Sequence, residues 1–190
     1  MKFTFVFLCF SALLLSNCQL NNNNNTSTTT VFDPTDKLRT YTSNDWDYWT
    51  CSLNGEDGRI RTYTSNDWDY WEYNIDNSSG KIRTYTSEDW DYWQVDNGLL
   101  SIRTYSSEDW DYWEIKGNGM DIRVRTYTSN DFDYWQVSGD VTARFKTYTS
   151  NDFDYWEITG DLSNLDAPTK AALLFIPIFA SSIHQQGICL

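Results

Sequence analysis

Pairs of aspartates separated by one aromatic residue suggest chemistry most directly, and the pair occurs six times along the chain. Clustered carboxylates at turns suit Ca²⁺, which takes six to eight oxygen ligands at about 2.3–2.6 Å. The surrounding sequence contains neither an EF-hand loop nor a glycine-rich nonapeptide. Alternatively, the first Asp caps a turn and the second contacts Thr across a strand. The candidate metal ligands are Asp67, Asp69, Asp89, Asp91, Asp109 and Asp111.

Tyrosine rings offer a second chemistry, because sugar rings stack on aromatic faces. Equivalent residues on alternate strands of a sheet lie about 9.6 Å apart, close to the length of a disaccharide. An exposed row of Tyr therefore predicts binding of a neutral polysaccharide. The alternative is that aromatic rings only supply packing, which explains the Trp rows better than the Tyr rows. The candidate ligand-binding residues are Tyr63, Tyr70, Tyr85, Tyr92, Tyr105, Tyr112, Tyr127 and Tyr134.

Catalysis has little support in the sequence. The single histidine is His184, and neither Ser181 nor Ser182 lies in a nucleophile motif. Near-identical repeats distribute chemistry evenly, whereas an active site gathers it into one pocket. We therefore expect a protein that is not an enzyme and needs no cofactor, with calcium as the one alternative.

The charge balance restricts the partners. Asp and Glu number 27 against 14 Lys and Arg, which gives a net charge of −13. Such a chain repels nucleic acid and anionic lipid headgroups, so cations, basic partners and neutral glycans remain. An aromatic content of 17% is too high for a disordered acidic chain.

The N-terminal residues are typical of an export signal. Lys2 is followed by an apolar run from Phe3 to Leu15, which is too short to span a bilayer. The run ends in Leu-Leu-Ser-Asn-Cys18, which resembles the lipobox of bacterial lipoproteins, although Asn17 occupies a position where that family has Gly, Ala or Ser. The resemblance implies that Cys18 is acylated and anchors the chain to a membrane. The alternative is a plain secretory signal.

The elements that position these residues are six copies of one repeat. The motif Arg-Thr-Tyr-Thr-Ser-Asn-Asp-Trp-Asp-Tyr-Trp begins at Arg39 and Arg61, and variants follow at intervals of 20 to 22 residues. Each copy has two β-prone stretches around a Ser-Asn-Asp turn, which predicts a β-hairpin. The predicted segments are a signal peptide (1–17), a lipid-anchored Asn/Thr-rich tether (18–36), six hairpins (37–162) and an apolar cap (163–190).

The motif also predicts a register. Centring each hairpin on its turn places Arg61 opposite Glu72 and Thr62 opposite Trp71. Extending the 22-residue period to the next strand would place Tyr70 opposite Tyr85. Continuous rows would then cross the whole sheet, one of them alternating Arg or Lys with Glu or Gln, and each cross-strand pair contributes roughly 0.2–1 kcal/mol.

The predicted fold is all-β: an up-and-down antiparallel meander of about twelve strands with a short C-terminal helical cap. The face carrying Ile82, Trp93 and Val95 is the more apolar and is expected to point inward. Strand twist favours an open, coiled sheet, with closure into a barrel as the alternative. Asp166 is a candidate N-cap of the helix, and Pro177 is expected to stop or kink it. The helix is expected to cover the edge and apolar face of the last repeat.

After removal of the leader, Cys51 and Cys189 would remain, which is too few for a disulfide framework or a thiolate metal site. The lipobox-like leader, polar spacer and tandem aromatic hairpins together resemble the repeat lipoproteins of Bacteroidetes. That resemblance implies an outer-membrane or cell-surface location, with secretion as the alternative, and implies no particular activity. We expect a surface binding module for a glycan or an envelope protein; a structural spacer and a calcium-dependent repeat protein are the alternatives.

Overall fold

Each repeat forms two strands separated by the motif turn, as its β-prone stretches predict. A computed structural model describes residues 36–185. The strands are β1 (Lys37–Thr40), β2 (Tyr48–Leu53), β3 (Glu56–Thr62), β4 (Tyr70–Ile75), β5 (Ser78–Thr84), β6 (Tyr92–Val95), β7 (Leu100–Thr104), β8 (Tyr112–Gly117), β9 (Met120–Thr126), β10 (Tyr134–Gly139), β11 (Ala143–Thr147) and β12 (Tyr155–Gly160), followed by helix α1 (Ala167–Gln185).

The twelve strands form an antiparallel meander that closes into a barrel, because β1 pairs with β12 and places Leu38 opposite Trp156. The all-β class, the meander and the C-terminal helix are confirmed. Of the two forms that the sequence allowed, the sheet adopts the less favoured one, the closed barrel. Closure leaves no unpaired sheet edge among these strands.

The register is confirmed within hairpins and is wrong between them. Arg61 lies opposite Glu72 as predicted, but Tyr70 lies opposite Arg83 instead of Tyr85. The cause is the loop between β4 and β5. It is a two-residue turn at Asp76 and Asn77, both with positive φ, so the following Ser-Ser-Gly joins β5 instead of lengthening the loop.

The same offset of two residues recurs at every junction between repeats. The offset is kept even where successive motifs are only 20 residues apart, as from Arg83 to Arg103. Gln94 lies there opposite Ser101, two residues before Arg103. Six offsets of two residues each, spread over twelve strands, give the barrel an average shear of one residue per strand. With a rise of about 3.3 Å and a strand spacing of about 4.8 Å, this shear corresponds to a tilt of about 35° and a barrel radius of about 11 Å. A helix with its side chains is about 10–12 Å across, so the lumen admits one helix and one layer of inward-pointing side chains.

Helix α1 fills that lumen. Its residues from Ala171 to Ile183 are all buried, and it packs against β4, β5, β7 and β8. It therefore covers the apolar face of the sheet from within, and the edge that it was expected to cover does not exist. From Ala171 to Ala180 the helix is apolar on every side, which suits a position surrounded by the barrel wall.

The start of α1 agrees with the sequence prediction, and its course through the proline does not. The Asp166 carboxylate accepts a hydrogen bond from the Thr169 backbone N–H at 3.0 Å, which confirms the N-cap. The helix continues through Pro177 to Gln185, although the sequence predicted a stop or a kink there. A proline inside a helix costs about 3 kcal/mol, and burial of Phe179 offsets this cost.

Helix α1 runs from one end of the barrel to the other. Near its start, the buried Lys170 ammonium pairs with Asp76 at 2.5 Å, at the end of the barrel that holds the loops between repeats. Near its finish, the Ser182 hydroxyl donates to the Trp46 carbonyl at 3.1 Å. Trp46 belongs to the first of the six motif turns, which together form the opposite end and are called the motif-turn end below.

The predictions on residues 1–35 and 186–190 lie outside the described residues. They are the signal peptide, acylation of Cys18, nearly all of the tether, and any role of Cys189. Cys51 is a free thiol on the inner side of β2. Between residues 36 and 185, no helix has the length and apolar character needed to cross a membrane.

Candidate functional site: the tyrosine belt

The motif turn holds its last Trp inside the barrel. In the second repeat, Asn66 adopts a φ of 60°, and the Asp67 N–H donates to the Thr64 carbonyl at 2.9 Å. The indole of Trp71 then donates to the backbone carbonyl of Trp68 at 2.9 Å. All six repeats make this indole bond, and the donor Trp is fully buried in each. The Trp rows are thus explained by packing, with their one polar atom satisfied.

The first Asp of each pair belongs to the turn itself. Asp67 and Asp89 each accept a hydrogen bond at 3.3 Å from the backbone N–H two residues later, and Asp109 occupies the same turn position. Burial and the neighbouring Asp47 carboxylate raise the pKa of the equivalent Asp45 above its ordinary value. Turn capping, one of the two explanations drawn from the sequence, describes these contacts.

The second Asp of each pair bonds the turn of the next repeat. Asp91 accepts from the Thr104 hydroxyl at 2.9 Å, the Ser107 hydroxyl at 2.6 Å and the Glu108 N–H at 3.0 Å. Asp69 contacts the third repeat in the same manner. The Thr contact expected within a hairpin therefore falls between neighbouring repeats. The other such contacts join Asp47 to Ser65 and Asn66, Asp111 to Ser129 and Asn130, and Asp133 to Ser150 and Asn151.

These contacts form a closed ring. Asp154 of the last repeat accepts from the Ser43 hydroxyl of the first at 2.8 Å. Among residues 36–185, no three His, Cys, Asp or Glu side chains are grouped so as to hold a metal ion. Three of the carboxylates predicted as calcium ligands, Asp69, Asp91 and Asp111, instead accept hydrogen bonds from the motif turn of the next repeat.

Twelve tyrosines form what we call the tyrosine belt, on the outer face beside the motif-turn end. Each repeat contributes one pair of adjacent rings with centroids 4.6–5.1 Å apart; five pairs are stacked, and the rings of Tyr127 and Tyr134 are tilted by 31°. The members are Tyr41 and Tyr48, Tyr63 and Tyr70, Tyr85 and Tyr92, Tyr105 and Tyr112, Tyr127 and Tyr134, and Tyr148 and Tyr155. The first member of each pair is 58–64% exposed, so the core does not use these rings for packing.

Basic side chains separate the tyrosine pairs. The two-residue offset places Arg103 opposite Tyr92, and its guanidinium lies 3.8 Å from the ring centre. A hydrogen bond from Arg103 lowers the pKa of Tyr92. Lys81 lies 5.3 Å from the ring centre of Tyr70, and a hydrogen bond with that phenol raises the pKa of Lys81. Each cation thus contacts the electron-rich face of a tyrosine.

The eight tyrosines predicted from the sequence all lie in the belt. The prediction left out the pairs of the first and last repeats, although they occupy the same motif positions. Closure of the barrel makes those two repeats neighbours, so the belt is continuous. The offset also widens the spacing of equivalent rings to about 12 Å, beyond the disaccharide length that the flat-sheet geometry suggested.

A comparison with protein families, with curated proteins and with solved structures finds no match to this chain.

Proposed function

We propose that the protein is a non-enzymatic binding module of the cell envelope and that the tyrosine belt binds polysaccharide. The observation that carries this proposal is the set of six tyrosine pairs on the outer wall, each with one exposed and one half-buried ring, and five of them stacked. The interior is already filled by the Trp rows and by α1, so the fold has no need of these rings for its core.

The belt has the properties that sugar recognition requires. Each outer ring offers an apolar face that can stack on a sugar, and its hydroxyl reaches water or a ligand hydroxyl. Stacking between paired rings limits their rotation, which reduces the entropy lost on binding. Six equivalent pairs around one barrel also let a single polymer engage several sites, so individually weak contacts combine.

The test removes two adjacent pairs, with Tyr85, Tyr92, Tyr105 and Tyr112 all changed to Ser. The matched control changes the same four residues to Phe, which keeps the rings and the stacking. Binding of the purified protein to a panel of polysaccharides would be measured by affinity electrophoresis. We expect the Ser variant to lose at least about fivefold in affinity, because neighbouring sites no longer act together, and the Phe variant to keep most of it. If neither set of changes alters binding to any polysaccharide, the proposal is refuted.

A structural spacer is the second candidate function, and the ring of Asp contacts between repeats favours it. That ring joins every repeat to the next, which suits a rigid element that holds something away from a surface. The same experiment distinguishes the two functions, since a spacer binds no polysaccharide in either form. If the ligand is an envelope protein, the purified protein should bind isolated cell envelope, and added polysaccharides should not compete with that binding.

We place the protein at the outer membrane or cell surface, anchored through acylated Cys18. The apolar leader and its lipobox-like end support this location. Metabolic labelling with radioactive palmitate should mark the wild-type chain and leave a Cys18→Ala variant unlabelled. Labelling of neither would favour secretion instead.

A further inference from the structure

The charges of the barrel are separated along its axis. Eleven of the 14 Lys and Arg residues lie exposed on the outer face of the odd-numbered strands, and we call them the basic waist. The outer face of the even-numbered strands adds three acids at this level, Glu72, Glu114 and Glu157. The basic waist consists of Lys37, Arg39, Arg59, Arg61, Lys81, Arg83, Arg103, Arg123, Arg125, Arg144 and Lys146.

The acids gather elsewhere. Fourteen of the 27 Asp and Glu residues lie in the six motif turns, which contain no Lys or Arg. Others lie toward the opposite end of the barrel, some in the loops between repeats, for example Asp76 and Asp140, and some on the outer ends of the strands, for example Asp57 and Asp121. The net charge of −13 is therefore the sum of two acidic ends and a waist of opposite sign.

The basic waist is largely unneutralised. Within residues 36–185, Arg61 is the one waist residue in an ion pair, with Glu72. Two others, Lys81 and Arg103, lie over tyrosine rings. Such contacts leave part of each cation open to solvent, where a further anionic group can approach it.

Two grooves in the outer wall run through the waist. One, of about 420 Å³, is lined by two cations and one acid, Lys37, Arg39 and Asp57, and by Tyr41 of the tyrosine belt. The other, of about 280 Å³, is lined by Arg59, Lys81 and Glu72. Gly58 and Gly80 line these grooves, and the space beside their Cα atoms is occupied by Cys51 in the first and by Tyr73 and Asp96 in the second. Cations outnumber acids two to one in each groove, and a ligand stacked on Tyr41 would meet Lys37 and Arg39 beside that ring.

We infer that the polysaccharide bound by the tyrosine belt is anionic, with carboxylate groups that contact the basic waist; this inference rests on the proposed function. The sequence favoured a neutral glycan because net charge averages over the whole molecule. Screening confines charge interactions to about 8–10 Å at moderate salt. A polymer held at the waist therefore responds to local cations more than to the acidic ends.

A polyuronate fits this arrangement better than a nucleic acid. Duplex DNA carries one charge per about 1.7 Å of its length, a density that the fourteen turn carboxylates beside the belt would repel. A polyuronate carries one carboxylate per sugar ring and alternates charge with a surface suited to stacking. Successive cations of one strand, such as Arg123 and Arg125, lie about 6.6 Å apart, which leaves room for single carboxylates.

The experiment compares polygalacturonate with the same polymer after methyl esterification, which removes only the charge. Affinity would be measured at low salt and at about 0.5 M NaCl. The variant changes Arg123, Arg125 and Arg144 to Gln, three residues that take part in no ion pair within residues 36–185. Two single variants are compared as well. Arg125→Gln removes a charge of the basic waist, and the control Lys116→Gln removes an exposed charge outside it.

We expect the wild-type protein to bind polygalacturonate at least about tenfold more tightly than the ester at low salt, and to lose that preference at high salt. The triple variant should lose the preference and retain binding of the ester, and Arg125→Gln should weaken binding more than Lys116→Gln does.

Equal affinity for both polymers, with loss of both in the four-Tyr Ser variant, would overturn the anionic inference and leave the proposed function standing. Binding of neither polymer, or of any other polysaccharide, would overturn both. Tighter binding of a single-stranded oligonucleotide of equal charge than of polygalacturonate would overturn the inference in favour of a nucleic acid.

Discussion

The inner and outer faces of the barrel wall carry aromatic rows of very different character, although the two residues that supply them are adjacent in the motif. Trp93 points inward, is fully buried and has its indole bonded to a backbone carbonyl. Its neighbour Tyr92 points outward and stacks on Tyr85, which is 63% exposed. Alternation along the strands thus divides the repeat into two faces. The inner aromatic residues form the core, and the outer aromatic residues recur in every repeat although the core does not use them.

The largest expected effect comes from the inner face. Trp93→Ala should lower the free energy of unfolding by about 3–5 kcal/mol, because it leaves a cavity beside α1. The ring it removes lies 4.7 Å from that of Phe175 and 4.8 Å from that of Phe179. Tyr92→Ala is the matched control and should cost less than about 1.5 kcal/mol. Chemical denaturation measures both, and equal losses would contradict the division between the faces.

Ion pairs on the two faces should differ in the same direction. Lys170 is buried inside the barrel and is neutralised by Asp76, whereas Arg61 and Glu72 pair on the outside. Asp76→Asn should cost about 2–3 kcal/mol because it leaves a buried charge without its partner, and Asn still suits the positive φ of the turn. Glu72→Gln should cost less than about 1 kcal/mol. If the two losses proved similar, α1 would not hold Lys170 in the low-dielectric interior that the structure shows.

The polar contacts of the outer face should contribute an intermediate amount. Asp91→Ala removes the acceptor for the Thr104 and Ser107 hydroxyls and should cost about 1–2 kcal/mol, reduced by exposure to water. Asp89→Ala removes a single 3.3 Å contact within its own turn and should cost less. Thermal unfolding of the two variants compares contacts between repeats with contacts within a repeat, and a greater loss for Asp89 would contradict the ring of contacts between repeats.

The faces and the hairpins could be predicted from the sequence because both depend on local signals. The alternation around Trp93 and the turn residues around Asn66 are visible within one repeat, and the structure confirms both. The Asp166 N-cap is equally local.

The sequence allowed a closed barrel beside an open sheet but did not select it, because closure depends on a sum of small offsets. Extending the 22-residue period placed Tyr70 opposite Tyr85, and only the two-residue turn at Asp76 and Asn77 reveals the shift between hairpins. The position of α1 follows from closure, so it was equally hidden. The basic waist was present in the alternation of residues such as Arg59 and Arg61, but it becomes a surface only once the barrel assigns both to the outer face.

The smallest expected effect concerns Cys51 on the inner face, whose thiol should be protected from chemical modification in the folded protein. Burial on the inner side of β2 raises the pKa of the Cys51 thiol to about 12. The folded state therefore favours the protonated thiol, so ionisation above the ordinary value of about 8.5 lowers stability as the pH rises. At pH 8 we expect native wild-type protein and a Cys51→Ala variant to react with the same number of equivalents of a thiol reagent, and denatured wild type to react with one more.

Between pH 9 and 10, the melting temperature of wild type should fall more steeply than that of Cys51→Ala, since only wild type gains a thiolate on unfolding. Prompt reaction of Cys51 in the native protein would show that the wall opens between β2 and β3, where Gly58 lies opposite this thiol. The inner face would then be accessible through a groove of the basic waist, and the separation of the two faces would fail at that point.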